Sequence, residues 1–176
     1  MRRTLMVLVL AAVTAMPALS AMPAQAASAG TCTVKATVTI TPGISMRPTK
    51  GTVSGSGGTI ACTGLVRGVV VAGPGKLAVS GTYGTGATRA LQHGDTCGQG
   101  SGSGSLTATL PKAAGGTMRV LGTFTFVRVG PAVEVNGRLG TSRFAGTLGF
   151  GPKFGQTCAT VRVTSATVAG AVGVGG

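Results

Sequence analysis

The chain has no tryptophan, and only one tyrosine and five phenylalanines occur among its 176 residues. Aromatic side chains usually contribute much of the area buried in a hydrophobic core. A core must therefore be assembled mainly from Val, Leu, Ile, Ala and Met. The scarcity of aromatic rings also argues against a protein that stacks the bases of single-stranded nucleic acid. We therefore expect no specific nucleic-acid partner.

Acidic residues are almost absent, because Asp95 and Glu134 are the only carboxylate side chains beside fifteen lysines and arginines. His93 is the only histidine. These three residues leave few groups for general acid–base catalysis, and the two acids would be the only possible pair for glycoside hydrolysis. We therefore expect no catalytic residues and no enzyme.

The first 26 residues have the pattern of a secretory signal peptide. A basic start precedes the apolar segment Leu5–Val13, which is too short to span a bilayer, and Ala24–Ala26 form a small-residue cleavage site. Cleavage would leave 27–176, the length of one ordinary domain, and the loss of Arg2 and Arg3 would lower the formal charge from +13 by two. No later segment is long and apolar enough for a membrane helix. We expect a soluble protein that is secreted and located outside the cell or at its envelope.

Four cysteines in an exported chain indicate two disulfide bonds. Three pairings are possible, and we favour Cys32–Cys62 together with Cys97–Cys158. A zinc site of four thiolates is the alternative, but the chain has no C-x-x-C pair. We therefore expect neither a metal ion nor a cofactor.

The sequence alternates between apolar and polar residues over many short segments, whereas glycines interrupt every possible helix. In 117–127 ("TMRVLGTFTFV") one face holds Met118, Val120, Gly122, Phe124 and Phe126, and the other holds Arg119, Thr123 and Thr125. Eight further segments fit the same interpretation: 32–40, 51–62, 65–71, 76–83, 106–110, 132–139, 143–150 and 158–168. Eight or nine short antiparallel strands predict an all-β barrel, with a β-sandwich as the alternative. Glycines inside strands, at 122, 137 and 146, favour the barrel because they allow sharp coiling.

The cations are distributed singly and form no basic run of the kind that binds nucleic acid. Four arginines occupy the polar faces of predicted strands: Arg119, Arg138, Arg143 and Arg162. We expect these arginines to bind anionic polymers of the cell envelope, with an affinity that falls as salt rises. The alternative is a solvated basic surface that only keeps the protein soluble.

Residues 85–104 have no strand pattern and are predicted to form a long loop rich in Gly and Ser. His93 and Asp95 could form a catalytic group with a nearby serine, but residues two apart in one loop rarely hold that geometry. A metal site would require reduced Cys97, and "GQGSGSG" lacks the Lys-Ser/Thr ending of a phosphate-binding loop. We expect Asp95 to cap a turn and Cys97 to join the loop to Cys158. His93 and Asp95 are our candidates for recognition by this loop.

Several segments resemble small secreted actinobacterial proteins that are rich in Gly and Thr and contain four cysteines. They are "TCTVKATVTITPG", "GTVSGSGGTIACTGLVRG", "TYGTG", "GDTCGQGSGSGSLTATLP" and "GTFTFVRVG". The similarity extends over nearly all of 27–176 and consists of glycine turns, strand starts and cysteines. It implies a disulfide-bonded β structure and supplies no catalytic residues.

The sequence therefore predicts a secreted, non-enzymatic β protein that associates with the cell envelope or another extracellular polyanion. The alternative function is a barrel that holds a small apolar molecule in its interior, as lipocalin-like barrels do. The scattered charges and the two disulfides favour a monomer over a cross-β fibre.

Overall fold

The computed structural model describes residues 28–85 and 94–175, and all regular structure in these ranges is β-strand. The predicted signal peptide and His93 lie outside the described residues. The eight strands are β1 (Ser28–Ile44), β2 (Gly51–Val66), β3 (Val69–Tyr83), β4 (Gln99–Pro111), β5 (Thr117–Val129), β6 (Ala132–Leu139), β7 (Ser142–Pro152) and β8 (Val163–Gly175). Each strand pairs antiparallel with the next, and β8 pairs with β1 to close a barrel. Over the same ranges, no helix could cross a membrane.

The predicted barrel is confirmed, with eight strands rather than nine. The segment 65–71, predicted as a separate strand, is the hairpin between β2 and β3, where Val66 pairs with Val69. The two turn residues, Arg67 and Gly68, both have positive φ (54° and 75°), which is the requirement of a type I′ turn. Apolar residues on both sides of this turn concealed it in the sequence.

The predicted loop 85–104 is shorter at its C-terminal end, because β4 begins at Gln99. The inward positions of this half-strand are glycines, so the sequence lacks the alternation that marks a strand. The Phe126 ring occupies the missing side-chain space beside Gly102, where a Cβ would lie 2.6 Å from a ring atom. At Gly104, likewise, an added Cβ would lie 2.9 Å from a ring atom of Phe124. The large rings of β5 therefore fill the space that the glycines of β4 leave.

The last predicted strand, 158–168, begins five residues late. β8 starts at Val163, and Val161 remains 49% exposed. The side-chain oxygen of Gln156 accepts hydrogen bonds from the backbone N–H groups of Thr164 and Ser165. The segment before β8 therefore folds back over the start of the strand instead of extending it.

The apolar core lies inside the barrel, and the outer face is mostly polar, with apolar exceptions such as Leu121 (64% exposed). Inward residues of β5 lie at even positions from 118 to 126, as predicted, and the series continues to Arg128. At Gly122, Gly137 and Gly146 an added Cβ would lie 2.1–2.3 Å from a carbonyl oxygen of the neighbouring strand. Strands approach this closely only where a side chain is absent. These glycines therefore permit the tight coiling of a small barrel.

The two ends of the barrel differ in their connections. At one end, which we call the lower end, the strands are joined by 67–68, 112–116 and 140–141. At the opposite, upper end, the described connecting residues are 45–50, 84–85, 94–98, 130–131 and 153–162.

Both predicted disulfides are present. Cys32 and Cys62 are directly paired neighbours on β1 and β2, whereas Cys97–Cys158 joins two connections of the upper end. Two disulfides are consistent with an oxidising, extracellular environment.

Candidate functional sites at the two ends of the barrel

Three of the four arginines predicted to bind polyanions lie around the β6–β7 turn at the lower end. Arg138 and Arg143 are exposed and directly opposite each other in the pairing of these strands. The backbone N–H of Gly140, in the turn, donates a hydrogen bond of 2.8 Å to the carbonyl of Leu121 on β5. This contact brings the turn to within two residues of Arg119, which points outward from the same strand.

A fourth arginine, Arg67, reaches the same turn from the other side of the barrel. Its backbone N–H donates a 3.0 Å hydrogen bond to the Ser142 hydroxyl. Its side chain covers Gly140 so closely that a Cβ there would lie 2.3 Å from the Arg67 Cδ. We call Arg67, Arg119, Arg138 and Arg143 the lower arginine group. No sequence signal indicated Arg67, because the contact joins residues 75 positions apart.

The lower arginine group is held in an arrangement that costs stability. Like charges directly opposite each other on paired strands repel, and Arg67 adopts a left-handed backbone that residues other than Gly and Asn avoid. Of the two carboxylates, Glu134 is exposed near the upper end of β6 and Asp95 is buried at the upper end. An anion with several charges would relieve the repulsion, and guanidinium groups bind phosphate and carboxylate in bidentate fashion.

A row of cations continues from this group around the outside of the barrel. Lys35, Thr59, Lys76, Thr109 and Arg119 are register partners on five successive strands, and all point outward. Neighbouring strands are about 4.8 Å apart, so successive cations of the row are separated by about 10 Å. This spacing provides a path along which an extended anionic polymer could contact several cations.

Arg162, the fourth predicted arginine, lies at the opposite end. It precedes β8 and, with Arg47, lines a shallow depression on the surface of the upper end. The strand-face position predicted for Arg162 is therefore wrong, because β8 begins one residue later.

A cluster of buried polar side chains lies at the upper end: Tyr83, Asp95, Ser101 and Arg128, which are 1–3% exposed. We call it the upper polar cluster. An Asp95 carboxylate oxygen accepts a 2.8 Å hydrogen bond from the Ser101 backbone N–H, which partly matches the predicted turn-capping role. Asp95 also exchanges both backbone hydrogen bonds with Thr49.

Arg128 fixes the segment that carries Asp95. Its guanidinium donates hydrogen bonds to the carbonyls of Thr96, Cys97 and Gly130, and it lies 5.0 Å above the ring of Phe150. An inward-facing arginine at the end of β5 was not predicted. The alternation of apolar and polar residues gives no information on the distant segment whose carbonyls this arginine binds.

Within the described ranges, one polar atom of each cluster residue makes no hydrogen bond of standard geometry: Tyr83 Oη, Asp95 Oδ2, Ser101 Oγ and Arg128 Nε. Thr49 and Gly43 are still close enough to Tyr83, and the Gly84 N–H to Asp95, to lower the pKa of each group. Burial raises the pKa of Asp95 to about 6, against the lowering effects of the Ser101 N–H and the Arg128 charge. Burial also raises the pKa of Tyr83. It lowers the pKa of Arg128, and the negative charge of Asp95 opposes that lowering. Buried polar groups of this kind are rare in folded proteins, so the upper polar cluster is an unusual feature of this barrel.

The barrel interior contains a cavity of about 160 Å³, and Tyr83, Asp95 and Arg128 line its upper end. The rest of the lining is apolar and includes Val79 and Phe126. The interior therefore combines an apolar space with buried polar residues at one end.

In the part of the chain that the structure describes, no three His, Cys, Asp or Glu side chains are grouped as metal ligands, and Cys97 is in a disulfide. Comparisons of the chain with protein-family models, curated proteins and solved structures found no match. Function must therefore be inferred from the two ends of this barrel.

Proposed function

We propose that this protein is a secreted, non-enzymatic barrel that associates with anionic polymers of the cell envelope or its surroundings through the lower arginine group. The observation that carries the proposal is the convergence of Arg67, Arg138 and Arg143 on one turn of a chain with a formal charge of +13.

The arrangement favours polymers over single small anions. The arginines converge at one place, and the outward row through Lys76 and Lys35 extends the positive surface over four more strands. Each phosphate or carboxylate that is neutralised releases counterions, so binding gains strength from the number of contacts. Repeating phosphate or carboxylate groups would engage both the group and the row.

A salt titration of residues 27–176 on isolated cell-envelope material tests the proposal, with a neutral polysaccharide as the control surface. We expect selective retention that decreases steeply with ionic strength. The variant R138Q/R143Q removes two contacts and should reduce the slope of log K against log salt by about 2, at roughly 0.9 per neutralised phosphate.

The matched control is R47Q/R162Q, which removes the same charge at the upper end. It should change the slope by much less. Equal losses of retention in the two double variants would show that net charge alone binds the polymer. Retention that does not change with ionic strength would contradict the electrostatic basis of the proposal.

A further inference from the structure

We propose that the upper end of the barrel docks on the surface of an anionic lipid bilayer, with the Phe154 ring inserted among the headgroups. The contact surface consists of exposed apolar residues and exposed cations of the connections 45–50 and 153–162. We call it the upper docking surface, and its residues are Met46, Arg47, Lys153, Phe154, Val161 and Arg162. It shares no residue with the lower arginine group, so the inference does not depend on the binding of an anionic polymer there.

Phe154 is the most exposed apolar residue of this surface. It is 103% exposed, whereas Tyr83 and the other four phenylalanines take part in the core of the barrel. A chain with so few aromatic residues thus holds one ring entirely in solvent. The Gln156 N–H donates a 3.0 Å hydrogen bond to the Lys153 carbonyl, so a closed turn carries this ring. Phe beside Lys or Arg is a usual combination in segments that bind at a membrane surface.

Met46 and Val161 continue the apolar part of the surface, at 64% and 49% exposure. Met46 lines a shallow depression together with Thr160 and Arg162, the two residues on either side of Val161. The Cys97–Cys158 disulfide fixes this region, because Cys158 lines the same depression. Apolar residues that are exposed next to one another mark interaction surfaces, in contrast to those scattered singly.

The turn that carries Phe154 is held against the same part of the upper end. The Gln156 side chain donates a 2.8 Å hydrogen bond to the Thr164 hydroxyl and accepts one of 3.1 Å from the Thr164 N–H. The Thr164 methyl group lies 2.9 Å from the position of a Cβ on Gly43, three residues before Met46. The two connections therefore adjoin, and their fixed position reduces the entropy lost when they bind a surface.

Charge specifies an anionic bilayer as the occupant. Each exposed apolar residue has an exposed cation as its neighbour in the chain: Met46–Arg47, Lys153–Phe154 and Val161–Arg162. The only exposed carboxylate side chain, that of Glu134, lies on the barrel wall beside Thr147 of β7. Anionic headgroups complement the cations, and the apolar boundary below them accepts the ring, whereas a polar polymer offers only the first contact. A second copy of this chain would bring the same positive charge to the surface.

The absence of tryptophan from the chain allows a direct test, because F154W introduces a single fluorescent reporter at an exposed position. The probe is a vesicle of phosphatidylglycerol and phosphatidylcholine in equal parts, added to residues 27–176. We expect the emission of F154W to shift to shorter wavelength and to be quenched by brominated acyl chains. Vesicles of phosphatidylcholine alone should leave the emission unchanged.

The matched control is L121W. Leu121 is 64% exposed on β5, and its carbonyl accepts the Gly140 N–H beside the lower arginine group. The emission of L121W should remain that of a solvated indole when the same anionic vesicles are added.

The affinity for these vesicles tests the two parts of the surface separately. F154A should lower it about tenfold, and L121A should leave it unchanged. A Lys or Arg near an anionic leaflet contributes about fivefold in affinity, so R47Q/R162Q should lower it roughly 25-fold. R138Q/R143Q should lower it much less, which is the reverse of the order expected for envelope polymers.

Three results would overturn the inference. The first is unchanged emission of F154W on anionic vesicles. The second is an equal emission shift in F154W and L121W, which would show adsorption by net charge without a preferred face. The third is an emission shift of F154W that grows with protein concentration in the absence of vesicles, which would make a second copy of the chain the occupant. None of these results bears on the polymer titration, so the two proposals fail separately.

Discussion

The lower and upper ends of this barrel use their polar residues in opposite ways. At the lower end, two-residue turns such as Arg67–Gly68 leave charged side chains on the outside, next to one another. At the upper end, longer connections fold inward, and Asp95 and Arg128 are almost completely buried. The lower end presents charge to the surroundings, whereas the upper end encloses polar atoms above an apolar cavity.

This difference follows from the length of most connections, although 130–131 at the upper end is also a two-residue turn. The turns 67–68 and 140–141 are too short to cover the barrel, so Arg67, Arg138 and Arg143 beside them remain solvated. A longer segment can cover the barrel end, but it must then satisfy its own buried backbone groups. Arg128 performs this role for the carbonyls of Thr96 and Cys97, and the Cys97–Cys158 disulfide ties the segment down.

Removal of each disulfide separately should give the largest effects and should separate the two ends. In the chain-entropy model, C32A/C62A and C97A/C158A each lower the free energy of unfolding by about 4 kcal/mol, measured by urea denaturation. Only the loss of Cys97–Cys158 should also expose the amides of Thr49 and Asp95, which bond each other's carbonyls, to hydrogen exchange. Continued protection of these amides in C97A/C158A would show that the upper disulfide does not hold the covering segment.

The pH dependence of stability should originate at the upper end. The pKa of Asp95 is about 6 in the folded protein and near 3.8 when unfolded, so the folded state binds the proton more tightly. Stability should therefore decrease by about 2–3 kcal/mol as the pH rises from 4 to 7. The charged and titratable neighbours of Asp95 are Arg128 and Tyr83.

Urea unfolding at several pH values measures this dependence. D95N should flatten the curve between pH 4 and 7. The matched variant E134Q changes the other, exposed carboxylate and should leave the curve as it is. A stability that increases with pH through this range would contradict the interpretation of Asp95 as a destabilised buried carboxylate.

The same contrast explains what could be predicted from the sequence. The strands β5, β6 and β7 were recognisable because most of their inward residues are large and apolar and many of their outward residues are Thr, Asn or Arg. The first half of β4 was not, because its inward positions are glycines filled from the neighbouring strand by Phe124 and Phe126. The alternation of apolar and polar residues reveals a strand only when that strand's own side chains fill the core.

The candidate sites depend even more on contacts between distant segments. Arg138 and Arg143 could be placed on polar strand faces from the sequence. Their proximity to Arg67 depends on the β2–β3 hairpin, which contacts the β6–β7 turn across the lower end. Asp95 was identified as a chemically distinctive residue, yet its burial depends on its backbone hydrogen bonds with Thr49 and on those of Arg128 with the next two residues of the chain. Local patterns contain no information on such contacts.

A substitution of Arg67 should separate binding from stability at the lower end. Asn tolerates the left-handed conformation that Arg67 adopts, so R67N should stabilise the protein by about 0.5–1 kcal/mol in urea unfolding. It should also weaken retention on envelope material, because one member of the lower arginine group is lost. R67K is the control, since it keeps the charge and the unfavourable backbone and should retain most binding without a gain in stability. A destabilised R67N would show that the side-chain contact with Gly140 outweighs the backbone cost.

The smallest expected effect concerns the pair Arg138 and Arg143. R143E places opposite charges on directly paired residues, and this change should stabilise the protein by about 0.5 kcal/mol while it weakens polyanion retention. R162E makes the same change in net charge at the upper end, away from the lower arginine group. An equal gain in R162E would mean that the stabilisation comes from the lower net charge of the whole protein. A gain confined to R143E would show that the repulsion between Arg138 and Arg143 is a local cost, retained at the end of the barrel where we place the anionic polymer.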